Sequence, residues 1–448
     1  MAGAREPNEA LGRLLDEARW GNLELARAVN RIGAELGHPF TYDSSAVTYW
    51  KSGSRPRKEA RPIICEAFAR RLGRPVTLYE AGLVHAPEPD SVGTDTVAGL
   101  IDLGSADMDP SRRSVLKAGA FSAALAVPGW PDAGERFAHV VTDPHARIGH
   151  SEVAAVKAMT EQISDLDDKF GGRMTRPMAA AFMVNTIARY LKATASEDVR
   201  NAMLSAASDH LYLTGYMAMD ERADDLAQRY YVKALELAGA AHDHLTYCTT
   251  LRGMSVQAAE LGHGPMAVRL ANSAAVASPA AGPRMRAFLA GQQAHAAAQT
   301  GNRSGALAWI KDAEDSMDRA ESQSKAFGSY DPAALAYHVS QVRYELGDIA
   351  GAVTALEESQ KIREPVYRRA RVRHGGMLAE WKLQMGRLEE ACKDWHRMLD
   401  EYQQGMQSGR CDDRYRAMMS AIRPHLRNRH ARALHERANP LRPTSVRR

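Results

Sequence analysis

The residues of this chain whose types and spacing suit chemistry gather near its start. Ser44, Ser45, Thr48 and Tyr49 place hydroxyls along one face of a short helix, and Lys51, Arg55, Arg57 and Lys58 follow at once. That chemistry is hydrogen bonding and charge, with no bond to break. Hydroxyls can meet base edges or phosphate in a duplex groove, Ala46 can touch a thymine methyl, and the four cations can hold a sugar-phosphate backbone. Val47 and Trp50 point the other way, into a small core, and Gly53 stops the helix.

Elsewhere no catalytic constellation emerges. His242-Asp243-His244 and the pair His145 and His150 lack the H-E-x-x-H pattern, and neither a phosphate loop nor a G-x-S-x-G turn occurs. Asp165, Asp167 and Asp168 crowd one helical turn and are expected to pair with Lys169 or Arg173 rather than to act as acid and base. Cys65, Cys248, Cys392 and Cys411 stand far apart, which argues against a disulfide framework or a zinc ribbon and for a reducing cytoplasm. The expectation is a non-enzyme without metal or cofactor.

Several elements must position the hydroxyl-bearing helix. Residues 1–84 read as five short helices. Asn8 to Arg19 carries Leu11, Leu14, Leu15 and Ala18 on one stripe. Asn22 can cap a second helix with Leu25, Ala28, Val29, Ile32 and Leu36, which Gly37-His38-Pro39 ends. Ser44 or Asp43 can cap the third, Lys58 to Leu72 turns Ile63, Ile64, Ala67, Phe68 and Leu72 inward, and Leu78 to Leu83 forms a last short piece. Residues 1–75 hold 13 Lys/Arg against 9 Asp/Glu and residues 423–448 hold 8 Arg against one Glu, whereas the middle is net acidic. Contact with a polyanion is therefore expected at the ends.

Residues 85–150 read as a linker, rich in Pro, Gly, Asp, Ser and Thr up to about Pro110. Within it Ser111-Arg112-Arg113-Ser114-Val115-Leu116-Lys117 precedes an apolar run, Ala118 to Val127, as in a twin-arginine export signal. The position behind some 110 folded-looking residues and the short apolar run argue instead for an internal helix docking onto the body, with no membrane span.

From about Ser151 to residue 422 the text is helical and Ala-rich, without strand-like alternation. Gly262, Gly301, Gly347 and Gly386 each stand five residues before an alanine (Ala267, Ala306, Ala352, Ala391), and the residue seven before each Gly is small: Ser255, Ala294, Ser340, Ala379. A left-handed Gly closes one helix, and the small pair lets the next cross it closely, which makes a helical hairpin. An earlier unit with Gly215, Ala227, Tyr231 and Ala234 keeps the register but lacks the turn glycine. The spacing resembles the tetratricopeptide repeat, with a longer period. Stacked hairpins of this kind form an α-solenoid whose first helices line a groove. Register places Tyr212, Tyr216, Arg252, His295, Tyr337, Gln341, Tyr344 and Glu380 there. These residues suit a peptide or small-molecule effector, or a protein partner such as a second copy; the plain alternative is an ordinary amphipathic face, or a groove filled by the chain's own apolar segment. The Arg-rich tail, 423–448, is expected either to add phosphate contact or to be unstructured.

The first segment resembles the Cro/C1-type helix-turn-helix: Leu25 to Val29 matches that family's second helix, Ser45 to Gly53 its recognition helix and stop, Arg55-Pro56-Arg57 its exit loop. Asn30 to Tyr42 is about a dozen residues longer than in the family, and Lys51 stands where Glu is usual. The whole chain resembles actinobacterial regulators of development, sporulation and antibiotic production, in Val153 to Thr160 and Asp165 to Gly172. The resemblance implies an all-α transcription regulator in the cytoplasm, on the nucleoid, that binds double-stranded DNA. A helical-repeat scaffold that binds only proteins is the alternative.

Overall fold

Apolar stripes on four helices fold the N-terminal segment around one core. In the computed structural model, which describes residues 7–35, 39–72, 76, 78, 80–83, 96–109, 121, 122, 125, 127, 130, 143–277, 282–320 and 330–443, α1 (Glu9–Ala18) buries Leu11, Leu14, Leu15 and Ala18. Asn8 caps it by accepting from the Leu11 amide, and Arg19 closes it in the left-handed region at φ 52°. Helices α2 (Asn22–Glu35), α3 (Ser44–Lys51) and α4 (Ala60–Leu72) supply Leu25, Val29, Ile32, Val47, Trp50, Ile63, Ile64 and Phe68 to the same core. Leu36, Gly37 and His38 lie outside the described residues. The expected fifth helix is not formed at residues 78 and 80–83, which are a turn pinned by the Leu83 amide on the Leu78 carbonyl, with Ala81 and Leu83 buried.

The body is a series of paired helices. After α5 (Thr96–Met108), β1 (Asp143–Arg147), α6 (His150–Phe170) and α7 (Gly172–Phe182), a π turn (Met183–Ile187) leads into α8 (Ala188–Lys192) and β2 (Ala193–Thr194). The pairs are α9 (Glu197–Asp220) with α10 (Asp224–Ala240), α11 (His244–Glu260) with α12 (Gly264–Val276), α13 (Pro283–Gln299) with α14 (Arg303–Asp318), α15 (Pro332–Glu345) with α16 (Ile349–Ile362), and α17 (Arg368–Gln384) with α18 (Leu388–Tyr402). Helices α19 (Gly409–Ile422) and α20 (Arg429–Ala438) follow.

The turns show why the spacing matters. Gly262, Gly301, Gly347 and Gly386 adopt φ of 77°, 76°, 85° and 78°, and the residue after each donates its amide five positions back to close the helix. Ser255, Ala294, Ser340 and Ala379, with Ala267, Ala306, Ala352 and Ala391, are all fully buried where the paired helices cross. In the α9–α10 pair the missing glycine is replaced by Arg222, at φ 63°, in the same hydrogen-bonded turn.

Four expectations need correction. Residues 96–108, inside the expected linker, form α5: Val97, Leu100 and Gly104 give it a buried stripe, and Asp107 is buried against Arg176 and the Tyr230 hydroxyl. Two short parallel strands, β1 and β2, interrupt the helices. The apolar run does dock onto the body, but its described residues Phe121, Ser122, Leu125 and Val127 are not helical. Ser122 exchanges backbone hydrogen bonds of 2.8 and 3.0 Å with the Gln228 side chain, and Phe121 is buried. The paired arginines, Arg112 and Arg113, lie outside the described residues. Finally, the tail is folded as far as 443: Ala431, Leu434 and Ala438 bury one side of α20, and Arg437 reaches Asp400 at 2.6 Å.

Candidate functional site

Helix α3 is held on its inner side and open on its outer side. Val47 is fully buried and Trp50 nearly so, while Ser44, Ser45, Thr48, Tyr49, Lys51, Arg55, Arg57 and Lys58 are exposed and Ala46 is half-buried. Tyr49 is 65% exposed, unusual for a tyrosine beside a core. Of the two expected caps, Ser44 and Asp43, it is Asp43 that accepts from the Ala46 amide, at 2.9 Å. The long connection from α2 does not leave α3 loose. Asn30 donates its side-chain amide to the Tyr42 carbonyl at 2.7 Å and accepts from the Tyr42 amide at 2.9 Å, and the Tyr42 ring meets Trp50 edge-on. At the other end the Asn8 amide donates to the Lys51 carbonyl, and Arg61 Nε holds the Pro56 carbonyl of the exit loop.

One outward hydroxyl is already engaged. Thr48 Oγ1 donates to the Ser44 carbonyl and accepts from Asn22 Nδ2 at 2.9 Å. Asn22, expected as a cap for α2, is its first residue and turns its amide to α3 instead. The hydroxyl-bearing residues Ser44, Ser45 and Tyr49 also stand on the exposed side.

Within the body, the expected groove residues fall into two groups. Tyr212 is buried beside Tyr231. The Tyr216 ring lies under the guanidinia of both Arg369 and Arg410, each 4.9 Å from its centre. Burial works to raise the Tyr216 hydroxyl, and Arg410, Arg369 and Arg373 outweigh it and lower it. Arg252 stacks on Phe288 at 4.0 Å and donates toward His338 Nε2 at 3.3 Å; Tyr337 stacks on His374 at 4.1 Å, and Gln341 is buried. Burial and the neighbouring Arg252 lower His295 to about 4, against a smaller opposing pull from Glu260. Tyr344 and Glu380 sit apart, the first stacked on Trp381 and the second paired with Arg414.

The interior also contains residues that the register did not reach. Glu260 accepts from Arg373 at 2.7 Å, Arg410 at 3.0 Å and Arg222 at 3.1 Å; burial would raise its carboxyl, and the three guanidinia hold it far below the usual range. Asp220 takes Arg410 and the Ser408 hydroxyl. Asp167 and Asp168 pair with Arg369, not with Lys169 or Arg173, and Arg173 instead reaches Asp412 at 2.8 Å. A signal was present: carrying the groove register back to six and ten residues before each small crossing position gives Phe288, Arg284, Tyr330, Arg373 and Arg369.

Three of the other histidines noted in the sequence are engaged separately. His244 stacks on Trp130, His150 meets Asp198, and His145 lies on β1. Among the described residues no group of three or more His, Cys, Asp or Glu could hold a metal ion, and no helix is long and apolar enough to cross a membrane. No disulfide joins the four cysteines, and all four are buried.

Against known proteins, residues 11–84 match the family model of the SP15 N-terminal domain. The matched stretch runs from within α1 to the residue after Leu83, so it contains α3, Asn22, Asn30, Tyr42 and Arg61, but not Asn8. A comparison with curated proteins finds no match.

Proposed function

We propose that the chain is a sequence-specific DNA-binding regulator of transcription. In this reading residues 1–84 act as a Cro/C1-like helix-turn-helix domain with α3 in the major groove, and the paired helices of the body form a tetratricopeptide-like solenoid that receives a signal or a partner. One observation carries it: a single short helix turns Val47 and Trp50 into the core while presenting Ser44, Ser45 and Tyr49 beside four exposed cations. A groove reader needs that division, because phosphate contacts fix register and base contacts select sequence. The resemblance to actinobacterial regulators extends the proposal to control of differentiation or secondary metabolism, on the nucleoid.

The test is selection of binding sites from random duplex DNA with the full chain. One enriched motif, lost in the triple variant Ser44→Ala, Ser45→Ala, Tyr49→Ala, is expected. Absence of any enriched sequence, with protein partners still captured through residues 1–84, would move the chain to the scaffold class.

A further inference from the structure

Two arginines in the body's interior make no ion pair within 4 Å among the described residues. Among the described residues Arg252, on α11, meets neutral groups, the Phe288 face and His338, and its Nε has no hydrogen-bond partner. His338 must accept from Arg252 at Nε2, which leaves Nδ1 to carry the proton toward the Tyr330 hydroxyl at 2.8 Å, so this imidazole supplies no counter-charge. Arg363, at the end of α16, donates to the Ser359 hydroxyl at 3.2 Å, and its Nε is likewise unpartnered. Around them, Gln341 Nε2, His374 Nδ1 and His295 Nε2 are buried polar atoms without a hydrogen-bond partner, Gln341 and His374 being only 7% and 4% exposed.

These groups form one neighbourhood. Arg252 touches His338, and Tyr337, next to His338, stacks on His374. Gln341 lies one turn beyond Tyr337 on the same face of α15. Arg363 reaches the same helix through Ser359, whose hydroxyl donates at 2.7 Å to the Ala333 carbonyl, one turn before Tyr337 on α15. The carboxylates around the two arginines are engaged elsewhere: Glu260 is shared among three other arginines, Asp168 pairs with Arg369, and Asp331, which acts on Arg363 from a distance, caps α15 by accepting from the Ala334 amide at 2.7 Å. Arg252, His295, Tyr337 and Arg363 each keep intermediate exposure, so solvent reaches this neighbourhood. Clustered, desolvated cations and unpaired donors are unfavourable unless an anion completes them.

We propose that this interior is a receptor for a small organic anion, its carboxylate or phosphate seated between Arg252 and Arg363 and accepting from Gln341. The inference rests on the body being the input half of the proposed regulator, and it fixes the chemical class of that input. Arginine suits the role because its fork matches planar and tetrahedral oxyanions.

The test is calorimetric titration of the full chain, without DNA, with benzoate, inorganic phosphate and neutral benzamide at matched ionic strength. Saturable binding of benzoate or phosphate but not benzamide is expected, and whichever anion binds identifies a carboxylate or a phosphoryl source. Arg252→Gln and Arg363→Gln should each weaken it about tenfold or more. Gln341→Glu supplies a built-in anion, so this variant should melt higher than the parent and no longer bind, an outcome that misfolding cannot mimic. No saturable anion binding by the parent, or binding unchanged in both arginine variants, or a lower melting point for Gln341→Glu, overturns the proposal. Because the readout contains no DNA, failure here leaves operator binding untouched, and failure of operator binding leaves these titrations intact.

Discussion

Arg369 of α17 donates to the carboxylate of Asp167 in α6, a residue 202 positions earlier, and both side chains are buried. Asp168 takes the second nitrogen of the same guanidinium at 2.9 Å. The first and last parts of the body are therefore tied directly, with Arg173 to Asp412 and Arg222 to Asp413 as parallel ties. What stacking alone would leave as an open series of pairs becomes a body whose two ends share a charged seam.

Arg369→Met should be strongly destabilising, by about 3–5 kcal/mol, because it strands the buried Asp167 carboxylate, with the half-buried Asp168 beside it, rather than because the pair is worth that much. The double variant Arg369→Met, Asp167→Leu should recover part of that loss. Urea unfolding of the four proteins of this cycle gives the coupling directly; additive losses would show that Asp167 and Arg369 do not depend on one another.

His210, on α9, is fully buried between Thr160 and the Ala179 carbonyl, and burial lowers it to about 4 against a smaller pull from that carbonyl. Its folded-state value lies below the ordinary one near 6.5, so the unfolded chain binds the proton more readily between those two values. The stability it contributes is complete above pH 6.5 and is lost as pH falls toward 4, on the order of 3 kcal/mol in all. His210→Gln should flatten this part of the pH dependence. Denaturant midpoints at pH 7.5, 6 and 5 check it, and equal slopes with pH in parent and variant would exclude His210 as a source.

Much of this architecture was legible because local rules carried it. Leu11, Leu14, Leu15 and Ala18 announce α1, and Val47 with Trp50 fixes which side of α3 faces out. Glycines followed by small residues announce the pairs. Helix α5 was hidden because Val97, Leu100 and Gly104 lie in text dominated by turn formers, and α20 because eight arginines mask Ala431, Leu434 and Ala438. The charged interior was not legible in the same way. Arg369 meets Asp167, and Arg410 meets both Asp220 and Glu260, only after the whole body has closed, and no local period encodes such partners.

Close approach inside the body predicts opposite effects for two glycines in helices. A Cβ at Gly291 of α13 would overlap His338 Nδ1 and lie 2.5 Å from the Tyr330 hydroxyl, whereas one at Gly12 of α1 meets nothing within 4 Å. Gly291→Ala should cost about 1–3 kcal/mol through overpacking. Gly12→Ala should stabilise by about 0.5–1 kcal/mol through reduced freedom of the unfolded chain. Thermal melts of both variants test this, and a neutral Gly291→Ala would mean that the Tyr330–His338 contact yields readily.

On DNA, charge and sequence selection should separate. Arg57 and Lys58 are exposed beyond α3 and are expected to touch phosphate, so Arg57→Ala and Lys58→Ala should each reduce the slope of log affinity against log salt by about 0.9 and weaken all sequences alike. Ser45→Ala should instead alter preference at a base position. Thr48→Val should do so less than Ser45→Ala, since the Thr48 hydroxyl already donates to the Ser44 carbonyl and accepts from Asn22. Fluorescence anisotropy on the selected site and on single-base variants, across a salt series, distinguishes these effects. If Thr48→Val shifted preference more than Ser45→Ala, the Asn22 contact would have to open on binding, and α3 would meet the groove by a face rotated toward α2.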